Sequence, residues 1–245
     1  MSVSRGISVV GLLAEVTGLI APPICIGCSR ETARVADALC RSCTDRIELL
    51  QGPLCRCCAQ PIPCRGCPGS SAFWESGHAA CRHDGTARKL AAALKRTGAR
   101  RVAEAMAEIL ASCVSPDAWE ARAIVPVAPH PSRRRQTGVD HTRLLADAFA
   151  ALIGRPVSTP LRRSGESSRQ AGASLRERTR SGRVEFSPAG LVPRAVLLLD
   201  DVWTTGTTLT AASQCLVGAG CDSLVVASWS RALADPPSVH RPVDW

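Results

Sequence analysis

Two strings of residues in this chain have the types and spacing for chemistry. The first is Asp200-Asp201-Val202-Trp203-Thr204-Thr205-Gly206-Thr207-Thr208. The apolar run Ala195–Leu199 leads straight into the paired acids, as expected of a central parallel strand buried on both faces. A helix is expected over Leu209–Val217, ended by Gly218-Ala219-Gly220. In open parallel sheets, ligands sit at the carboxyl ends of the strands. Successive backbone N–H groups in the Thr-rich turn can form an anion nest at a helix N-terminus. Gly206 lets the backbone approach closely, and the Thr hydroxyls add neutral donors. The carboxylates would repel that anion, so they must face something else. A diol suits them, because both of its hydroxyls can donate to a carboxylate. Phosphate at one end and a diol at the other describe ribose 5-phosphate.

The second string is made of cysteines. Cys25 and Cys28, Cys40 and Cys43, Cys55 and Cys58, and Cys64 and Cys67 form four Cys-x-x-Cys pairs. Each such turn aims two sulfurs at one point, and two turns complete a tetrahedral thiolate site for Zn²⁺. Eight cysteines fit two structural zinc ions. Sequential pairing of the turns is simplest, but the short gap between Cys58 and Cys64 leaves an interleaved arrangement open. With four protein ligands each, these sites are closed and predict no catalysis. The chain has thirteen cysteines, and an odd count argues against a closed disulfide framework. Cys81, Cys113, Cys215 and Cys221 read as buried small hydrophobes, and Cys57 as a spare.

Elements must position these strings. Thr86–Ala111 has a helical pattern interrupted at Thr97-Gly98, which predicts two helices. Ala123–Val127 reads as a buried strand, followed by a basic loop, Arg133-Arg134-Arg135. Asp140 is placed to cap a helix with Leu144, Leu145, Ala148, Leu152 and Ile153 on one face. Leu161–Arg183 reads as a long loop or flap. Ser223–Ser228 is a further strand, and strand, loop, helix, strand makes a βαβ unit. From Ala234 onward the chain reads as a loose tail. The expected fold is α/β: a parallel sheet flanked by helices over residues 72–245. An N-terminal helix and a Cys-rich double zinc ribbon precede it over residues 1–71, ending near Gly69-Ser70-Ser71.

At 245 residues and 45% apolar, the chain can fill one full domain and a small one. Its five Trp, three Phe and no Tyr offer few platforms for stacking bases. The formal charge is +9; two zinc ions on eight thiolates would bring it to about +5. Most of the excess lies between Pro131 and Arg183, where twelve Arg face four acids. An Arg-rich face suits phosphates, although a merely solvated surface has the same composition. No apolar run approaches the ~20 residues of a membrane span, and the expected location is cytoplasmic. Ile7–Ala21 is apolar apart from Glu15 and Thr17. It reads as an amphipathic helix, with a secretory signal as the rival.

The Asp200–Thr208 string resembles the PRPP-binding loop of type I phosphoribosyltransferases: two acids, two variable residues, Thr-Thr-Gly and Thr. The whole order resembles the ComF family, associated with competence and DNA uptake. It runs from the Cys pairs through Lys95, Ile124-Val125-Pro126-Val127, Gln170 and Arg178 to the PRPP-type loop. The family's Pro-Val-Pro-x-His region appears as Pro126-Val127-Ala128-Pro129-His130. Its next stretch appears as Thr137-Gly138-Val139-Asp140-His141, where Gly138 alone matches.

The resemblance implies PRPP as ligand, with Asp200, Asp201 and the Thr204–Thr208 bend holding the ribose 5-phosphate. The pyrophosphate would meet the backbone after Val127, together with Lys95 or Arg133, Arg134 and Arg135. Mg²⁺ would bind through substrate phosphates rather than a protein cage. Lys95 is one of two lysines among thirty basic residues. Relatives that salvage 6-oxopurines carry an Asp where Thr204 stands, so the usual general base is missing and that salvage is not expected. Three roles follow: a transferase acting on an unknown acceptor, an accessory protein binding single-stranded DNA or competence-machinery proteins, or a PRPP sensor.

Overall fold

A computed structural model describes residues 23–64, 67, 72–120, 122–164 and 184–233. The expectations for Ile7–Ala21, the linker at Gly69–Ser71, Gln170, Arg178 and the tail from Ala234 lie outside the described residues.

The strands are β1 (Ser76–Arg82), β2 (Ala123–Pro126), β3 (Leu161–Arg163), β4 (Phe186–Pro188), β5 (Ala195–Trp203) and β6 (Ser223–Arg231). The helices are α1 (Arg41–Thr44), α2 (Gly85–Thr97), α3 (Arg100–Cys113), α4 (Pro116–Trp119), α5 (Pro131–Thr137), α6 (His141–Ile153) and α7 (Thr207–Gly218). Four strands form a parallel sheet in the order β1-β6-β5-β2. This is the expected fold class, a parallel sheet flanked by helices behind a Cys-rich segment.

The apolar run in β5 is continuous because each face of the sheet buries alternate residues. Leu197 and Leu199 pack with α2, α3 and α6, through Leu90, Leu94, Met106, Leu110, Leu145 and Phe149. Val196 and Leu198 pack on the other side with Leu209, Ala212 and Leu216 of α7. The helix pair breaks where expected. Gly98 adopts φ +60°, and a Cβ there would lie 2.8 Å from Val139. Asp140 caps α6 as expected, accepting from the Arg143 backbone N–H at 3.0 Å.

Three local expectations are corrected. Residues 131–137 form a short helix rather than a loop, since Pro131 presets the first helical φ and Arg and Gln favour the helix. The most buried residues of α6 include Thr142, Leu145, Ala146, Phe149 and Ala150; of the expected face, Leu144, Ala148 and Ile153 pack partly buried against the core, while Leu152 is 52% exposed. The aromatic ring of Phe149, edge-on to Trp119 at 5.6 Å, turns the helix that way. The start of the expected flap, Leu161–Arg163, is instead strand β3, paired antiparallel with β4 just beyond the flap's end; residues 165–183 lie outside the described residues.

The Cys-rich segment divides itself between the two faces of the sheet. Ile26, Ala38, Leu39 and Ile47 join the α2–α3 side. Cys58, Ala59 and Trp74 join the α7 side. The chain crosses between them along the edge of β1: Arg82 N–H donates to the Glu48 carbonyl at 2.9 Å, and Leu50 N–H to the Ala80 carbonyl at 3.0 Å.

Candidate functional site

β5 runs four residues beyond its apolar stretch, because β6 is also long and keeps pairing with it. Asp200 stands opposite Ser228, Val202 opposite Ser230 and Trp203 opposite Arg231. The two acids are therefore strand residues at the carboxyl end of the sheet. The bend follows at once, and Gly206, at φ +87°, starts α7. Its missing side chain is required twice: by the left-handed φ and by the Trp203 indole, whose Nε1 would lie 2.8 Å from a Cβ. The Thr205 and Thr207 hydroxyls are 2.9 Å apart, and Thr204, Thr205 and Thr207 are exposed. Hydroxyls and the first N–H groups of α7 thus share one surface spot.

The acids behave differently. Asp200 is 9% exposed and accepts the Asp201 backbone N–H at 2.9 Å. Burial, then the neighbouring Asp201 charge, push its carboxyl up to about 8, so it carries a proton at neutral pH. Asp201 is 4% exposed. Lys95 Nζ, from the last turn of α2, lies 2.7 Å from its Oδ2, an ion pair by distance that lacks hydrogen-bond geometry. His141 Nε2, at the start of α6, lies 3.8 Å from the other oxygen. His83, just beyond β1, shares a 2.8 Å hydrogen bond with Ser230, whose hydroxyl donates to the Asp201 carbonyl at 3.4 Å. Burial and the Lys95 charge hold the His83 imidazole below its ordinary pKa. Two titratable groups, His83 and His141, thus join the acids without having been expected from the sequence. Neither has a local motif; topology alone brings them in.

One of the two acids is thus engaged by a cation, and the hollow above the bend is small. Asp200, Thr204, Gly206, Thr207 and Thr208 line about 20 Å³, roughly the room of one water molecule. A phosphate would enter only as the bend opens, and a diol would reach Asp201 only as Lys95 shifts. A larger hollow, about 110 Å³, lies on the outer side of the bend between Cys58, Trp74, Trp203, Arg231, Thr205, Gly206 and Thr210. Of the three expected arginines, Arg135 is exposed on α5; the side chains of Arg133 and Arg134 lie outside the description.

The cysteines gather as two groups of four, Cys25, Cys28, Cys40 and Cys43, and Cys55, Cys58, Cys64 and Cys67. Sequential pairing is therefore the observed one, and the interleaved alternative falls. Within each group the sulfurs all lie within 4.8 Å of one another. Cys28 and Cys40 Sγ are 3.7 Å apart, and Cys55 and Cys67 Sγ 3.8 Å. Four sulfurs about 2.3 Å from a tetrahedral zinc would sit about 3.8 Å apart. Both groups can hold zinc ions.

Among solved structures the chain is similar to one described as the structure of the allosteric regulatory enzyme of purine biosynthesis. The two are 21% identical with a TM-score of 0.37, over 52% of this chain and 25% of that one. This chain therefore matches about a quarter of that protein's length. No family model and no curated protein matches the chain. Among the described residues no helix is long and apolar enough to cross a membrane.

Proposed function

We propose that the chain binds PRPP in the manner of the ComF family and transfers its 5-phosphoribosyl group to an acceptor. The observation that carries this reading is the junction of β5 and α7. Two buried acids lie near the end of a parallel strand, and after Trp203 a Gly-hinged, hydroxyl-bearing bend opens a helix. In this reading the N–H groups and hydroxyls of Thr204–Thr208 hold the 5-phosphate. Asp200 and Asp201 take the ribose hydroxyls. Protonated Asp200 both donates and accepts, so it suits a diol without adding repulsion beside the phosphate. Lys95 leaves Asp201 for the pyrophosphate, where a cation stabilises the departing charge, and Arg133, Arg134 and Arg135 of α5 supply further positive charge. Mg²⁺ would arrive with the pyrophosphate and help neutralise it. The two Cys groups hold Zn²⁺ structurally.

Calorimetry with PRPP and Mg²⁺ tests the reading. The native protein should bind, and the double variant Asp200→Asn/Asp201→Asn should lose at least tenfold in affinity, the worth of about one charge-assisted hydrogen bond. Equal affinity in both, or none in the native protein, would overturn it. The alternative role, an accessory protein on single-stranded DNA, draws support from exposed Arg135 and Arg162. It requires DNA binding that weakens steeply with salt.

A further inference from the structure

Arg231, the last residue of β6, is 3% exposed, yet among the described residues every hydrogen bond of its side chain goes to a backbone carbonyl. Its Nε donates to Cys58 at 3.0 Å. A single terminal nitrogen donates to Trp203 at 2.8 Å, to Ala232 at 2.9 Å and to Thr204. Its guanidinium also lies over the Trp203 ring, 5.0 Å from the centroid. A buried cation held by carbonyl dipoles and a ring face is costly, and an anion nearby would offset much of that cost. Cys58 belongs to the second four-cysteine group. Four thiolates and one Zn²⁺ sum to −2, so the loaded cluster is a partly buried counter-charge within reach of Arg231.

The same guanidinium grips both ends of a connection. One end is the Cys58 carbonyl, fixed when zinc fixes Cys58. The other is the carbonyl of Thr204, where the bend begins. Between the knuckle and the bend lies the 110 Å³ hollow, into which the bend could relax if the grip were lost. Among the described residues the first cluster has no such connection. Its counterpart arginine, Arg101, reaches the Asp37 carbonyl at 2.8 Å and the Ile24 carbonyl at 3.3 Å from the start of α3.

From this we propose that Arg231 is a positioning residue that couples the second zinc cluster to the Thr204–Thr208 bend, so that zinc in this cluster sets the affinity for the sugar phosphate. The proposal rests on the PRPP reading above. Arg231→Lys keeps the charge, but one amine cannot span the Cys58 and Thr204 carbonyls. It should weaken PRPP binding about tenfold, as loss of a charge-assisted hydrogen bond does. It should also speed hydrogen exchange at Thr204–Thr207. Cys64→Ser/Cys67→Ser should do the same through loss of zinc, and Arg101→Gln should do neither.

If the variants do not fold, the unaltered protein still decides the matter. Coupling is reciprocal. PRPP should therefore shift the chelator concentration that removes one of two zinc ions, by the same factor, and leave the other in place. PRPP bound with both zinc equilibria unmoved, or with Arg231→Lys binding like the parent, overturns the coupling and spares the PRPP reading. An unaltered protein that ignores PRPP sinks both.

Discussion

The two four-cysteine groups share a ligand set and a sulfur spacing but not a setting. The first lies on the α2–α3 face, held by Lys89 on the Gly27 carbonyl and by Arg101. The second lies on the α7 face, where Trp74 donates to the Cys57 carbonyl at 2.8 Å and meets Trp203 edge-on at 5.8 Å. Trp203 is also the residue before the bend. One group therefore buttresses helices away from the acids, and the other buttresses the strand end that carries them. Identical local chemistry does different work according to the face of the sheet it lands on. Two four-cysteine groups in one chain need not be redundant.

The largest expected effect breaks the comparison most directly. Cys43 and Cys58 are buried ligands of their groups, at 2% and 1% exposure. Each change to Ser should lower bound zinc from two ions to one by metal analysis. An intact site of this kind is worth about 10 kcal/mol or more, and three remaining thiolates should forfeit a large part of it. Hydrogen exchange should then separate the two lesions. Cys43→Ser should open α2 and α3, and Cys58→Ser should open α7 and the bend. If both lesions loosen the same segments, the division between faces is wrong.

Acidity sharpens the same contrast. Zinc sites need deprotonated thiols and weaken as pH falls. Asp200 has the opposite sign. Burial raises its carboxyl from the ordinary value to about 8. Between those values the folded chain holds a proton that the unfolded chain has lost. Its contribution is full below about pH 4 and disappears as pH rises through about 8. Thermal unfolding from pH 6 to 9 should show melting temperature falling with pH, and Asp200→Asn should flatten the slope. A slope unchanged by that substitution would mean that Asp200 is ionised in the fold.

What the sequence disclosed follows the range of the interactions involved. The β5-bend-α7 unit was legible because its signals are adjacent: an apolar run, two acids, a Gly among Thr and a helical run. The eight cysteines were legible because each ligand pair is a local turn. β1 was not. Ser76-Gly77-His78-Ala79-Ala80-Cys81-Arg82 has no β-branched residue, and it becomes a strand because β6 offers a parallel edge. Arg231 was equally silent, since its partner Cys58 lies 173 positions away. His83 reaches the acids only when β1 pairs with β6, and His141 only after the helices have docked. The pairing of Lys95 with Asp201 depends on that docking too, so a lysine expected at a pyrophosphate rests on a carboxylate instead.

The finest test compares two glycines that each let a cysteine turn come close. A Cβ on Gly27 would lie 2.7 Å from Cys43 Sγ, inside the first cluster. A Cβ on Gly77 would lie 2.5 Å from the Cys57 carbonyl and 2.7 Å from the Trp203 ring, between β1 and the second turn. In each case a rigid neighbour must shift, which should cost about 1–3 kcal/mol by thermal unfolding. The costs should be alike and their consequences unlike. Gly27→Ala strains a zinc ligand, so zinc affinity should fall at one site and the bend should exchange as before. Gly77→Ala wedges the second turn away from Trp203, so exchange at Thr204–Thr207 should quicken while both zinc ions stay bound. The turn can move as a unit around its metal, but the Trp203 side cannot follow without dragging β5. If Gly77→Ala leaves the bend quiet, the second turn is merely a neighbour of the site and not part of its support.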